Sequence, residues 1–362
     1  MLVPVETAVA PRKTPTPPSP QGKATNTYCE LLRPEKYAEW DRLVERSIHG
    51  TVFHYSWWLR ATTHDFQILV VRDRDFRILG GIPLPRKHRR FLTLYHAPTL
   101  TPYLGPIFDL SDTHNNYDRL YAMRSRGELL ARTIPRFDSL RYTAGASAPD
   151  LQGFLWAGFQ VHLGYTFRFS ATTSLDEIAS AMSRTHAQKL SKANKLQLTV
   201  RRETDIDKLI TLNEMIFARQ NRKPPYSSDF VRHLWAESET RNRARLYIAY
   251  TAAGETAAAL FTVNDPRTTF QIISGVNTAK PDIPGGNLVL WTAIQDAIRE
   301  GRDFDFEGSS LRGVEVFYRR WGAAAVPVWR IEKSGSLQGT VVQAILQRRA
   351  TAKYKLTEKI AD

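Results

Sequence analysis

Cysteine is nearly missing from this 362-residue chain: Cys29 is its single thiol. One thiol closes no internal disulfide and builds no zinc cage, which fits a reducing compartment. Cys29 also stands at the border of a proline-rich leader, a poor setting for a nucleophile. The nine histidines are scattered. None falls in a nucleophile motif, and no His-x-x-x-His spacing offers a metal two ligands on one helix face. Covalent catalysis and metal chemistry therefore lack their usual marks, and no permanently bound cofactor is expected. No run approaches the ~20 apolar residues of a membrane span. The start, Met1 to Glu6, brings an acid early and has no apolar core of a secretory signal. A cytoplasmic protein is expected, with peripheral contact to the inner face of a membrane left open. Acid is short as well. Thirty-six Asp and Glu face 50 Lys and Arg, a net charge of +14. Such a surplus asks for an anionic partner: a nucleotide- or lipid-linked substrate, tRNA, or an acidic membrane face.

What is present suffices for a core and for two domains, with 42% hydrophobic residues. Residues 1–26 hold six prolines among Thr, Ser, Lys and Gln, so a disordered tail is expected. Domains over 27–165 and 166–335 follow, then a basic helix within 336–362. Pro34 opens a helix that presents Tyr37, Trp40, Leu43 and Val44 on one face. Residues 50–59 are dense in aromatics, and Phe53, Trp57 and Trp58 either line a substrate groove or plug a core. Runs 66–72 and 76–84 predict a hairpin, with the basic cluster Arg86 to Arg90 just after it. The loop 98–106 is stiffened by its prolines and carries Tyr103 and Gly105. A helix over 117–134, a strand over 139–143, a short helix over 150–155 and a strand over 159–169 complete the first half.

The second half opens on a capping box, Ser174 with Glu177. The helix over 184–195 is basic. At about 100° per residue Arg184, Lys192 and Lys195 share a face, with Lys189 at its edge. Arg201 and Arg202 follow on a strand. This face either grips phosphates, of a substrate or of a tRNA backbone, or is simply solvated. Asp205 caps the next helix, and Arg222 and Tyr226 in the polar loop 219–226 are candidate substrate contacts. Strands over 246–250, 256–263 and 269–275 lead to Pro284-Gly285-Gly286-Asn287, which opens a helix over 288–299. Backbone N–H groups at such a start can seat a phosphate or another anion.

The most informative stretch is 303–322. Asp303 to Glu307 alternates acid and aromatic as a strand does, placing Phe304 and Phe306 on one face and Asp305 and Glu307 on the other. Ser309 or Ser310 caps a short helix with Val314, Phe317 and Trp321 at helical spacing, and Gly322 stops it. Asp305, Glu307 and Glu315 are the candidate general bases. The two strand acids are placed where one raised pKa is expected.

Asp305-Phe-Glu-Gly-Ser309, Gly313-Val-Glu-x-Phe317 and Trp321-Gly322 resemble the end of the second lobe in Fem-type (FemAB-like) proteins. These are nonribosomal aminoacyltransferases of cell-wall synthesis, related to the GNAT acyltransferases, with many relatives in surface-polysaccharide pathways. The resemblance extends to Phe53 with Trp57 or Trp58, to Tyr103 and Gly105 in the 98–106 loop, and to Tyr226, over roughly 28–335. It implies an α/β (α+β) fold of two tandem GNAT-like lobes, each a mixed central sheet flanked by helices. Where the family commonly has Phe-Lys, this chain has Phe317-Tyr318, which leaves Arg319 or Arg320 for the lysine's role. The implied activity is amide formation on an amine of a cell-wall or surface-polysaccharide precursor, by direct attack on acyl-CoA or aminoacyl-tRNA. Gly285, Gly286 and Asn287 would seat the donor, although the usual basic residue of a GNAT pyrophosphate loop is replaced. The alternative is a non-catalytic RNA- or polyanion-binding protein on the same fold. For the C-terminal helix, docking through Val341, Ile345 and Leu346 competes with lying on an anionic membrane.

Overall fold

The first half winds one sheet from hairpins and covers it with helices. The computed structural model describes residues 27–89, 91–308 and 312–348. The proline-rich leader, Ser309, Ser310 and the basic end from Arg349 lie outside the described residues. Tyr28–Leu31 forms β1. Tyr37–Arg46 forms α1, with Tyr37, Trp40, Leu43 and Val44 buried, and Ser56–Thr62 forms α2. Phe66–Arg72 and Ile78–Arg89 are β2 and β3, paired antiparallel. The basic cluster therefore prolongs a strand rather than following it. Leu92–His96 is β4, and Ile107–Phe108 is the short β5 on the side of β3. Then come α3 (Asn116–Thr133), β6 (Ser139–Ala144), α4 (Gln152–Trp156) and β7 (Gln160–Phe169).

The second half begins with α5 (Leu175–Ala181), held by the reciprocal Ser174–Glu177 capping box, and α6 (Arg184–Lys195). It continues with β8 (Thr199–Glu203), α7 (Ile206–Arg219), α8 (Ser228–Glu239), β9 (Ala244–Tyr250), β10 (Thr256–Asn264) and β11 (Thr268–Val276). It ends with α9 (Gly285–Arg299), β12 (Asp303–Asp305), α10 (Arg312–Arg319) and β13 (Ala324–Ser334).

From β1 and β8 onward the halves repeat one plan: strand, two helices, three strands, helix, strand, helix, strand. In each, the third strand of the run pairs in parallel with the strand after the long helix, β4 with β6 and β11 with β12. These are two GNAT-like lobes in one mixed sheet of order β1-β2-β3-β4-β6-β13-β7-β12-β11-β10-β9-β8. The last strands are exchanged. β7, from the first half, pairs with β12 of the second, and β13, from the second, pairs with β6 of the first. β7 and β13 pair with each other through the middle. β7 runs unbroken past position 165, so neither half closes its own sheet.

β13 escapes a sequence reading because Pro327 sits inside it, which argues against a central strand. Pro327 pairs in register with Tyr165 nonetheless. Cys29 lies within β1, and burial pushes its thiol up to about 11, so it stays protonated and unreactive at neutral pH. The aromatic stretch 50–59 is core. Phe53 is fully buried and packs its ring 4.9 Å from Phe270 of β11, joining the halves. Trp57 is buried too, with the Arg241 guanidinium 5.1 Å over its ring. Both are packed as core, since aromatics this large are buried where two elements need a common apolar filling. On the helix over 337–348, Val341 and Ile345 face solvent rather than docking, while Leu346 is half-buried. No helix among the described residues is long and apolar enough to cross a membrane.

Candidate active site

The parallel pair β11–β12 is short. Its last register pair is Phe270 with Asp305. Beyond it β11 continues to Val276, while the chain after Asp305 turns to β7: the Phe306 N–H donates to the Phe167 carbonyl, and the Gly308 N–H to Thr166 Oγ1 at 2.8 Å. The two strands part, and a cavity of about 410 Å³ opens from Gln271 onward. Lys189 and Lys192 of α6, Lys280, Gly286, Asn287 and Phe317 border it. The two glycines have separate tasks. A Cβ on Gly285 would come within 2.9 Å of Ala257 Cβ, so Gly285 lets α9 approach the sheet, whereas Gly286 borders the cavity. The capping position of α9 is Pro284, which offers no side-chain cap. The first N–H groups of the helix thus lack intrahelical partners. Asn287 Nδ2 and Gln271 Oε1 are buried without partners among the described residues, and both residues line this cavity.

A second cavity, about 370 Å³, lies against the sheet face made by β6, β13 and β7. Glu307 and Gly308 form one side, Pro102 and Tyr103 another, and Arg141, Thr143, Gly164, Val328 and Arg330 lie along the strands. Glu307 borders this second cavity, and Asp305 ends β12 two residues before it. Asp305 is buried. Its Oδ1 accepts from Thr166 Oγ1 at 2.6 Å, the Glu307 N–H at 2.7 Å and Tyr103 Oη at 3.2 Å. Arg168 Nε lies 3.3 Å from the other oxygen, near enough for charge pairing but out of hydrogen-bond alignment. Burial raises the Asp305 pKa, and Arg168 and the three donors oppose that rise. Glu307 lacks such support among the described residues. Its Oε1 is buried with no partner among the described residues. Burial first, and the Asp305 charge second, hold its carboxyl well above the usual range. The alternation predicted a strand through Glu307, but β12 ends at Asp305 and Glu307 has φ +55°. A glutamate in the left-handed region is strained, and such strain clusters at functional sites.

The remaining predicted residues divide cleanly. Lys192, Gly286, Asn287 and Phe317 border the first cavity, and Tyr103 borders the second. Gly105 is a packing position: a Cβ there would meet Ala144 Cβ at 3.2 Å. Glu315 and Arg319 pair with each other one helical turn apart at 2.8 Å on α10, and neither borders the two cavities. Arg320 is exposed, and its carbonyl accepts from the Ser183 N–H. Tyr318, where the lysine was awaited, is buried, and burial with the two acids raises its phenol. Arg184 and Arg222 are exposed and border neither cavity. Tyr226 is half-buried and donates to Asn213 Oδ1 at 3.2 Å, away from both cavities. Arg202 is paired with Asp296 at 2.6 Å, so the basic face of 184–202 is partly neutralised. Ser309 lies outside the described residues. Sequence reading passed over Arg141, Thr166, Arg168, Gln271, Lys280 and Arg330. Arg168 left a trace: an arginine between Phe167 and Phe169 in a strand needs a buried partner.

Residues 179–319 match the family described as an acetyltransferase (GNAT) domain. That segment holds the whole border of the first cavity. The match defines residues 179–319 as a domain of the GNAT class, and the whole chain has a tandem GNAT-like fold. A domain of this class implies an acyl-CoA cosubstrate in general. Among solved structures the chain is similar to FemX, with a TM-score of 0.64 at 14% identity, over 87% of this chain and 99% of that one. It is also similar to the C-terminal domain of a candidate lysylphosphatidylglycerol synthetase from Agrobacterium fabrum, with a TM-score of 0.54 at 13% identity, over 85% and 94% of the two chains. L-PGS from Bacillus licheniformis gives a TM-score of 0.50 at 11% identity, over 88% and 96%. At such identities these likenesses describe the fold. No protein with a curated description matches in sequence.

Proposed function

We propose that this chain transfers an acyl or aminoacyl group from an activated donor in the first cavity to an amine presented in the second, forming an amide. The observations that support this are the parting of β11 and β12 beside a cation-rimmed helix start, and a strained Glu307 on the second cavity whose Oε1 has no partner among the described residues. Lys189, Lys192 and the free N–H groups of α9 suit the phosphates of acyl-CoA. Aminoacyl-tRNA remains the competing donor, as the Fem-type resemblance of the 303–322 stretch implies. The acceptor amine nitrogen attacks the donor carbonyl. The carbon–sulfur bond (carbon–oxygen for an aminoacyl ester) breaks, and the thiol or ribose hydroxyl leaves. Glu307 in its carboxylate form takes the amine proton and passes it to the leaving sulfur or oxygen, while Asp305 stays fixed by its donors. An amine on a cell-wall or surface-polysaccharide precursor is the acceptor class that fits this reading.

The test pairs donor binding with turnover. Saturable binding of acetyl-CoA, weakened by Lys192→Ala, is expected, as is a loss of kcat of about 10² or more in Glu307→Gln. Saturable binding of charged tRNA alone, lost on deacylation, would reassign the donor. Wild-type turnover in Glu307→Gln, Asp305→Asn and the double variant would overturn the reading.

A further inference from the structure

Arg330 is a half-buried arginine at the centre of the sheet, with no ion pair and no side-chain hydrogen bond among the described residues. A guanidinium is costly to hold in such a place without an anion. Its neighbours do not supply one. In register it faces Thr143 on β6 and His162 on β7. The nearby carboxylate, Glu332, is engaged elsewhere: its Oε1 lies 2.9 Å from His162 Nε2, and its Oε2 lies 3.7 Å from Arg141 Nε. Arg141 feels the second cation, and burial and the Arg330 charge both depress its pKa. Two arginines of like charge thus border one cavity, which Glu307 borders too.

We propose that the second cavity binds an amine that carries its own anion, a carboxylate or a phosphate, with Arg330 and Arg141 holding the anion while the amine lies at Glu307. The inference rests on the acyl-transfer reading for the placing of the amine. The anion seat itself stands on the arginines. A planar guanidinium grips either anion with two parallel hydrogen bonds, which fixes the direction in which the rest of the molecule points. The cavity of about 370 Å³ accepts a compact molecule, or the reacting end of a larger one. Arg330 is therefore a specificity residue, acting on which amine enters and not on the proton transfer.

The experiment uses the full chain with CoA at saturation, so that the first cavity is occupied. Matched pairs of probes are titrated calorimetrically: glucosamine 6-phosphate against glucosamine, and L-alanine against L-alaninamide. The expected result is that the anionic member of at least one pair binds about tenfold or more tightly than its neutral partner. The pair that shows the preference separates phosphate from carboxylate. Arg330→Met should bring that preference to within about twofold, Arg330→Lys should keep part of it, and the neutral members should be unaffected. Circular dichroism of each variant guards against loss of fold. Equal binding within both pairs by the wild-type chain, or a preference that survives in Arg330→Met, overturns the proposal. The same probes are then followed by release of CoA thiol from acetyl-CoA. Binding preference without acyl transfer, and without effect of Glu307→Gln, would sink the acyl-transfer reading alone. Transfer without preference would sink the anion seat alone.

Discussion

Asp305 and Glu307 are two residues apart and in opposite circumstances. Asp305 Oδ1 has three donors and Arg168 lies beside the other oxygen, so it is the member that stays charged. Glu307 has a sealed oxygen and a neighbouring charge, so it is the member that holds its proton longest. If it is the base, kcat/KM climbs with pH along a limb displaced above the ordinary glutamate range, and Glu307→Asp displaces that limb again. A flat profile across that range would remove Glu307 from the role. Stability follows the same group with the opposite slope. A carboxyl whose folded pKa is raised binds more protons folded than unfolded, so its contribution is full below the unfolded pKa and is lost as pH rises through the folded one. Urea unfolding over pH should show this decline in the wild-type chain and a shallower one in Glu307→Gln. The backbone adds a further test. A non-glycine residue at φ +55° costs on the order of 1–2 kcal/mol, so Glu307→Gly should unfold at an unchanged or higher temperature while turnover is lost.

The segment after β12 is a hinge between two strands, and its geometry depends on a close backbone approach. A Cβ on Gly308 would sit 2.2 Å from the Tyr165 carbonyl oxygen. Gly308→Ala should push 306–308 off β7, break the bond from the Gly308 N–H to Thr166 and destabilise the chain by about 1–3 kcal/mol. Turnover should fall with it, and amide exchange at Gly308 should quicken. Wild-type exchange there would mean that the segment is not held as described. Elements of this kind were only partly legible in the sequence. Helices and hairpins with strong periodicity were readable, such as α1 from Tyr37, Trp40, Leu43 and Val44, or β9–β10 about Gly254. The Ser174–Glu177 capping box was readable because it is local. β13 was hidden by Pro327, and the end of β12 by an alternation that runs on through Glu307 although the backbone leaves the strand. The acid pair could be found from its spacing. Arg330 could not, since its cavity is built from three strands far apart in sequence.

At the scale of the molecule the exchanged strands make each half depend on the other. β13 lies between β6 and β7, so the sheet of the first half is completed by the last strand of the second. The junction is also where histidines are buried: burial lowers His49 and His54 from 6.5 to about 4. For a depressed histidine the sign is plain. The neutral form is the folded one, so stability is full above pH 6.5 and falls as pH drops toward 4, each group contributing on the order of 3 kcal/mol. Acid should therefore loosen the junction. Strand exchange makes a stronger claim. A chain ended after Gly322 lacks β13, which leaves β6 and β7 each with an unpaired edge. Although the deletion lies wholly in the second half, hydrogen exchange should quicken at Leu140 and Tyr142 in β6, and thermal unfolding should remain one lowered transition rather than splitting into two. Protection of β6 at wild-type level in that truncated chain would mean that the halves fold as independent units and that the exchange is a contact of convenience. Loss of β6 together with the 305–308 segment would mean that both cavities and the acid pair are fixed by one cooperative sheet.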